Sequence, residues 1–112
     1  YPSQNEIGAN GKGPGGLKYR RARMRFASLI QAVAIGFPRA VGARRLWLKR
    51  IYRPGKRDYD RGNLVGGAKP LLDVLRAQGL ILDDTPALLS DYYLQKSGAA
   101  DEIVIVFEDI LI

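Results

Sequence analysis

The segment from Lys56 to Thr85, KRDYDRGNLVGGAKPLLDVLRAQGLILDDT, constrains the fold more than any other part of the chain. Apolar Leu71, Leu72, Val74 and Leu75 mark an amphipathic helix. Gln78-Gly79 supplies its stop, because glycine accepts the left-handed conformation just past a helix end. A helix ending there turns the chain back toward its start, and Leu80-Ile81-Leu82 is expected to enter the core as a short strand. The same reversal lets two acidic pairs meet in space: Asp58 and Asp60 before the helix, Asp83 and Asp84 after it. In a chain of net charge +7, such a gathering of carboxylates needs a reason.

At 112 residues, with 46% apolar and 26% charged residues, the chain has room for one core and not two. Residues 1–112 are therefore read as a single globular domain. Cysteine and histidine are both absent, which excludes disulfides, an imidazole base and zinc held by thiolate or imidazole. Any metal site must use oxygen ligands. No apolar run approaches the roughly 18 to 20 residues that cross a bilayer, so no membrane partner is expected. No secretory signal is read, and Tyr1 looks like a mid-protein start, with a first strand expected before it.

Charge is divided unevenly. Residues 1–57 hold fourteen Lys/Arg against the single acid Glu6, or +13, whereas residues 58–112 carry −6. A basic half suits a polyanion, because each neutralised phosphate releases condensed counterions. A solvated surface, or attraction between the two halves, accounts for the same asymmetry.

Along the chain, Gly8–Gly16 (GANGKGPGG) reads as a flexible loop, either a surface loop or an arm that brings Lys12 to a nucleic-acid backbone. Leu17–Phe37 reads as a helix with a buried stripe of Phe26, Leu29, Ile30, Val33 and Phe37. Its first turns carry Lys18, Arg20, Arg21, Arg23 and Arg25, which oppose the helix dipole and so point to an anionic ligand. Arg44–Arg53 reads as a strand with two mixed faces. Its Trp47 and Tyr52 either stack on bases or pack in the sheet. Ser90–Lys96 and Glu102–Phe107 read as a terminal β-hairpin, the run Ile103-Val104-Ile105-Val106 suggesting burial on both faces. The expected class is α/β (α+β): a small mixed sheet packed with two main helices and ending in that hairpin.

Carboxylates crowded together repel unless a cation relieves them. Mg²⁺, or Mn²⁺ in its place, binds through one or two carboxylates, waters and substrate phosphate oxygens, and in phosphodiester hydrolysis it activates water and stabilises the leaving oxygen. Asp58, Asp60, Asp83 and Asp84 are the candidate metal ligands. Structural roles compete with that reading. Asp60-Arg61-Gly62-Asn63 makes a good turn, Asn63 can cap a helix, and Asp84 can cap the piece starting at Thr85-Pro86.

The stretch DRGNLVGGAKPLLDVLRAQGLILDD resembles the signature of the RusA-like endodeoxyribonucleases, Holliday-junction resolvases commonly carried by phages and prophages. That family shows an Asp-x-Asp-Asn-Leu turn, a Lys-Pro-Leu-(Ile/Leu)-Asp-x-Leu helix, then Gly and an Asp-Asp pair. The matching residues are Asp60, Asn63, Leu64, Lys69, Pro70, Leu71, Leu72, Asp73, Leu75, Gly79, Asp83 and Asp84. Pro2-Ser3-Gln4-Asn5 is similar to the family's Pro-Ser-x-Asn element.

The resemblance implies a homodimer that binds four-way DNA junctions and cuts them with Mg²⁺, working in the cytoplasm of a bacterial or phage-infected cell. It implies Asp60 and Asp84 as catalytic metal ligands with Asp83 beside them, and Lys69 as a lysine acting on the scissile phosphate. Asn63 and Gly79 are implied to be structural. The set expected to contact DNA is Lys12, Lys18, Arg20, Arg21, Arg23, Arg25, Lys56, Arg57 and Arg61. One position departs from the pattern: with Asn63 held in register, Gly62 stands where the family has its second turn aspartate. Either Asp58 replaces it, Asp58-Tyr59-Asp60 being itself an Asp-x-Asp, or the site is weakened and the chain binds junctions without cutting. A basic protein that binds RNA or an acidic protein is a third reading.

Overall fold

The strand Arg44–Tyr52, β1, sits at the centre of the molecule. In the computed structural model, which describes residues 1–3 and 16–110, it follows helix α1 (Leu17–Val33). Helices α2 (Arg61–Gly67) and α3 (Lys69–Ala77) come next, then strands β2 (Leu89–Ser97) and β3 (Glu102–Asp109). The sheet runs β2-β1-β3, with β1 parallel to β2 and antiparallel to β3. Parallel neighbours need a long crossover, and α2 and α3 provide it. The result is a small α+β domain with a mixed sheet, as the order of elements suggests.

The expected terminal hairpin is not formed, because β1 lies between β2 and β3. The short link between those strands arches over the end of β1. Gly98 N donates to Tyr52 O at 2.8 Å, and Asp101 accepts from Arg53 N at 3.1 Å. Two strand spacings are about 10 Å, which a few extended residues can bridge. Nor is β3 buried on both faces. It is an edge strand, with Ile103, Ile105 and Phe107 against the core and Val104 and Val106 exposed.

All three helices belong to one side. Leu46 and Leu48 of β1 meet Phe26 and Ile30 of α1 and Leu71 and Leu75 of α3. Leu71 and Leu75 are fully buried, each worth about 2 kcal/mol relative to exposure. The α1 stripe is narrower than expected: Tyr19, Phe26 and Ile30 are buried, while Leu29 and Val33 face outward. Helix α1 also ends at Val33, four residues before Phe37. Ala34 N still bonds Ile30 O at 2.9 Å, and Gly36, at φ 77°, then turns the chain.

The central stretch forms two helices rather than one. Pro70 has no N–H to donate to Gly66, so the ladder breaks around Ala68 and α3 starts afresh with proline in its first turn. Gly79 ends α3 as expected, at φ 77°. Leu80 N reaches Leu75 O at 2.9 Å and Gly79 N reaches Arg76 O at 3.1 Å, the paired bonds of a Schellman stop. Leu80 and Ile81 enter the core, but as a bend and not a strand. Their backbone groups are already used: Arg44 Nη1 donates to Leu80 O at 2.8 Å, and Ile81 N turns back to Leu75 O.

The faces of β1 are cleanly alternating, not mixed, because two arginines join the core side. Arg44 is buried between the rings of Phe37 and Phe107 and donates to Asp109, Leu80 O and Pro38 O. Arg50 is buried at the other end of the strand. A buried guanidinium is tolerated only when its donors are met, and here they are.

Candidate functional site

Arg50 and Gln95 position the first pair of aspartates. Arg50 Nη1 donates to Arg57 O at 3.0 Å and to Gln95 Oε1 at 3.2 Å, and its guanidinium stacks on Tyr59. Gln95 holds both backbone polar groups of Tyr59, accepting from its N–H at 2.9 Å and donating to its carbonyl at 2.6 Å. Tyr59 is thereby fixed, with Asp58 and Asp60 exposed on either side of it. Asp58 accepts from the Tyr52 hydroxyl, and that bond raises the tyrosine's pKa. Asp60 is the N-cap of α2: Asn63 N donates to one carboxylate oxygen at 2.8 Å and Asn63 Nδ2 to the other at 3.0 Å. Asn63, read as able to cap a helix, is the partner of the cap, and Asp60 is the cap itself.

The second acidic pair meets α3. Lys69 Nζ lies 2.7 Å from Asp84 and 3.2 Å from Asp73, one turn along its own helix. Arg76 bridges Asp73 at 3.9 Å and Asp83 at 3.4 Å. The Lys69 hydrogen bond holds the Asp84 carboxyl below the usual carboxylate range, against an opposing push from burial. Asp73 behaves oppositely. Burial raises its pKa, with nearby Asp84 adding to the rise and Arg76 resisting it. Tyr19, buried within the basic run of α1, donates its hydroxyl to Asp73. One contact chain therefore joins the basic helix to Asp84 through Tyr19, Asp73 and Lys69.

The basic residues face water. Lys18, Arg20, Arg21, Arg23 and Arg25 are all exposed on α1, and none forms an ion pair among the described residues. Arg57 and Arg61 are exposed as well, while Lys56 pairs with Asp101 at 2.8 Å. Arg25 and Lys56 share a groove of about 610 Å³ with Phe26, Tyr52, Tyr59 and Ile103. Trp47 packs in the sheet, stacked on Tyr92, and Tyr52 is bound to Asp58. Lys12, most of the glycine-rich loop, and Gln4-Asn5 lie outside the described residues.

Asp84, Asp83 and Lys69 are thus assembled around α3, and Asp58 and Asp60 stand on either side of Tyr59, bound separately by Tyr52 and Asn63. Among the described residues, no three acidic side chains converge as a metal cage. The all-oxygen donors suit Mg²⁺, which needs only one or two of them beside water and phosphate. Asp73 and Tyr19 are site residues that the sequence reading passed over as such. The Lys69–Asp73 spacing, four residues on one helix, was the signal for the first. Asp91 was also missed. It accepts from the Tyr93 hydroxyl, whose pKa is raised mainly by burial and then by Asp91, with Asp84 contributing. Counting by twos from Leu89 places Asp91, Tyr93 and Gln95 on one strand face. No helix among the described residues is long and apolar enough to cross a membrane. The chain matches no protein-family model and no curated protein sequence.

Proposed function

We propose that the protein is a divalent-metal-dependent endodeoxyribonuclease of the RusA-like kind, acting as a homodimer on four-way DNA junctions. The observation that carries this reading is the contact of helix α1, whose exposed cations form no ion pair among the described residues, with the Lys69 cluster through Tyr19. Five exposed cations suit a phosphate backbone. The cluster they adjoin contains a lysine shared by two carboxylates, so a phosphate that draws Lys69 away frees Asp84 to bind a cation.

In this reading Asp84 and Asp83 would hold Mg²⁺ or Mn²⁺ together with waters and a phosphate oxygen, and Asp60 and Asp58 of the α2 turn would be the further candidate ligands, although among the described residues no three acidic side chains converge. The metal supplies charge stabilisation and an activated water. Lys69 contacts the scissile phosphate, Asp73 and Tyr19 keep the lysine in place, and α1 with Arg57 and Arg61 binds the DNA backbone.

Gly62 favours a second reading, a junction-binding module that does not cut. A Cβ built there lies 3.4 Å from Asp60 Oδ1, so an aspartate at this position would stand directly beside Asp60. With glycine there, the Asp60 carboxylate is met by Asn63 alone among the described residues.

Cleavage of a labelled synthetic four-way junction, with and without Mg²⁺ or Mn²⁺, tests both. Paired, metal-dependent nicks that vanish in Asp84→Asn while binding persists support the nuclease. Tight junction binding without cutting in either metal supports the module. Equal affinity for junction, duplex and RNA at fixed salt overturns both.

A further inference from the structure

The helices cover one face of the sheet and leave the other open. Two rings stack on that open face: Trp47 of β1 and Tyr92 of β2, with centroids 5.5 Å and planes 19° apart. Strand β2 is an edge of the sheet, and Tyr92 is 46% exposed. The stack therefore ends at the sheet edge, with the outer side of the tyrosine ring toward solvent. A ring pair open at one end accepts a further flat ring.

Charge says what that ring belongs to. Lys49 stands one row along from the ring pair, about 7 Å away, between Leu94 and Val104. Lys96 lies one row further, on β2. Neither lysine forms an ion pair among the described residues. The acids of this face, Glu102 and Glu108, both stand on β3, and Glu108 is already paired with Arg45. Rings and free cations thus share the β1–β2 half, and carboxylates keep to the other. A lysine in the middle of an apolar strip counts against a dry protein layer, which would bury its ammonium unpaired. It suits instead a polymer that alternates flat rings with negative charge.

We infer that the β1–β2 half of the open face binds single-stranded DNA, one base stacking on Tyr92 and neighbouring phosphates meeting Lys49 and Lys96. The strand runs along β2 and keeps clear of Glu102. A duplex holds its bases inside its own stack and has no free ring to offer. RNA gains nothing here, because the carboxylates that would accept from a 2′-hydroxyl stand on β3. The face lies on the far side of the sheet from α1 and Lys69, so strand binding does not rest on the nuclease reading, and the two can fail separately.

Titration with an oligodeoxythymidylate tests the inference, read by tryptophan emission and by anisotropy of the labelled oligomer. Trp47 is the only tryptophan, so its emission is expected to be quenched as the oligomer binds. A duplex of the same length is expected to leave the emission unchanged. Tyr92→Ala is expected to weaken oligomer binding about tenfold with unchanged far-ultraviolet circular dichroism, whereas Tyr92→Phe, which keeps the ring, binds as the parent does. Lys49→Gln is expected to lower the slope of log K against log salt by about 0.7. Five results would overturn the inference: no quenching by the oligomer, equal quenching by duplex, parent-like affinity in Tyr92→Ala, an unaltered salt slope in Lys49→Gln, or tighter binding of oligouridylate than of the DNA.

Discussion

The guanidinium carbon of Arg50 stands 3.6 Å from the ring centroid of Tyr59, the residue between Asp58 and Asp60. The loop that presents these acids is thus clamped from beneath by a strand residue that looks, in sequence, like one more surface cation. Arg50 has no carboxylate partner among the described residues. A carbonyl, an amide and two aromatic rings hold it instead.

Removing that clamp should cost stability and loosen the acidic turn. Arg50→Met loses charge-assisted hydrogen bonds and leaves the Arg57 carbonyl without this donor, a cost of about 2 kcal/mol. Urea unfolding should show a lower midpoint with an unchanged slope. Amide exchange at Asp58–Asp60 should quicken beyond what the global loss explains. An unchanged midpoint would mean that the stacking is incidental.

Gly62→Asp should build a cation site where two carboxylates now fall short. The glycine has no positive φ, and the nearest contact of an added Cβ is Asp60 Oδ1 at 3.4 Å, so the backbone tolerates the change. An acid in the first turn of α2 gains about 0.5 kcal/mol from the helix dipole, against repulsion from Asp60. The variant should be stabilised by added MgCl₂ more than the parent, measured as a shift in thermal midpoint. Equal shifts would place the metal elsewhere.

Acid stability should depend on Lys69. Asp84 has a depressed pKa in the folded state, so its contribution is full above the unfolded value and lost as pH falls through the folded one. Asp73 is raised and works the other way, costing stability where it must ionise. Parent and Asp84→Asn should therefore differ most near neutrality and converge at strongly acid pH, in denaturant midpoints taken across the range. In a Lys69→Met background the Asp84→Asn effect should shrink. A pH-independent gap between parent and Asp84→Asn would rule out the charge pairing.

Binding of four-way DNA should weaken steeply with salt. Arg20→Gln and Arg23→Gln each remove one exposed cation of α1. Each should lower the slope of log K against log salt by about 0.9, provided the residue meets a phosphate. Leu94→Asp, on the opposite face of the sheet from the helices, should leave that slope unchanged per protomer. Unaltered slopes in both arginine variants would move the DNA off α1.

Gly67→Ala should disturb the N-terminal segment. A Cβ there would overlap the Pro2 carbonyl, which packs against the end of α2. A loss of about 1 to 3 kcal/mol is expected, as for overpacking elsewhere. It should be accompanied by faster exchange at Ser3. Parent-like stability would show that residues 1–3 pack elsewhere.

Local signals were legible along the chain. The stop at Gly79, the strand Arg44–Tyr52 and the exposed cations of α1 each follow from residue chemistry acting over a few positions. Such features depend on backbone preference and spacing, which neighbouring residues settle among themselves. The clustering of Lys69 with Asp84 belongs with them in part, since the turn at Gly79 sends Asp84 back along the helix that carries Lys69.

Strand partnership did not follow from such signals. Two strands separated by a few residues look like a hairpin, yet β1 inserts between them, because Leu46 and Leu48 bury most completely in the middle of the sheet. That choice made β3 an edge, put Arg50 under Tyr59 and left Trp47 on an open face. Sequence alone determined where charge lies and where the two long helical segments and the three strands fall, though not their ends, the break at Ala68 or the bend at Leu80. Only the tertiary structure decided which strand is central and which arginines are buried, since burial is a property of the whole chain's packing and not of any one segment.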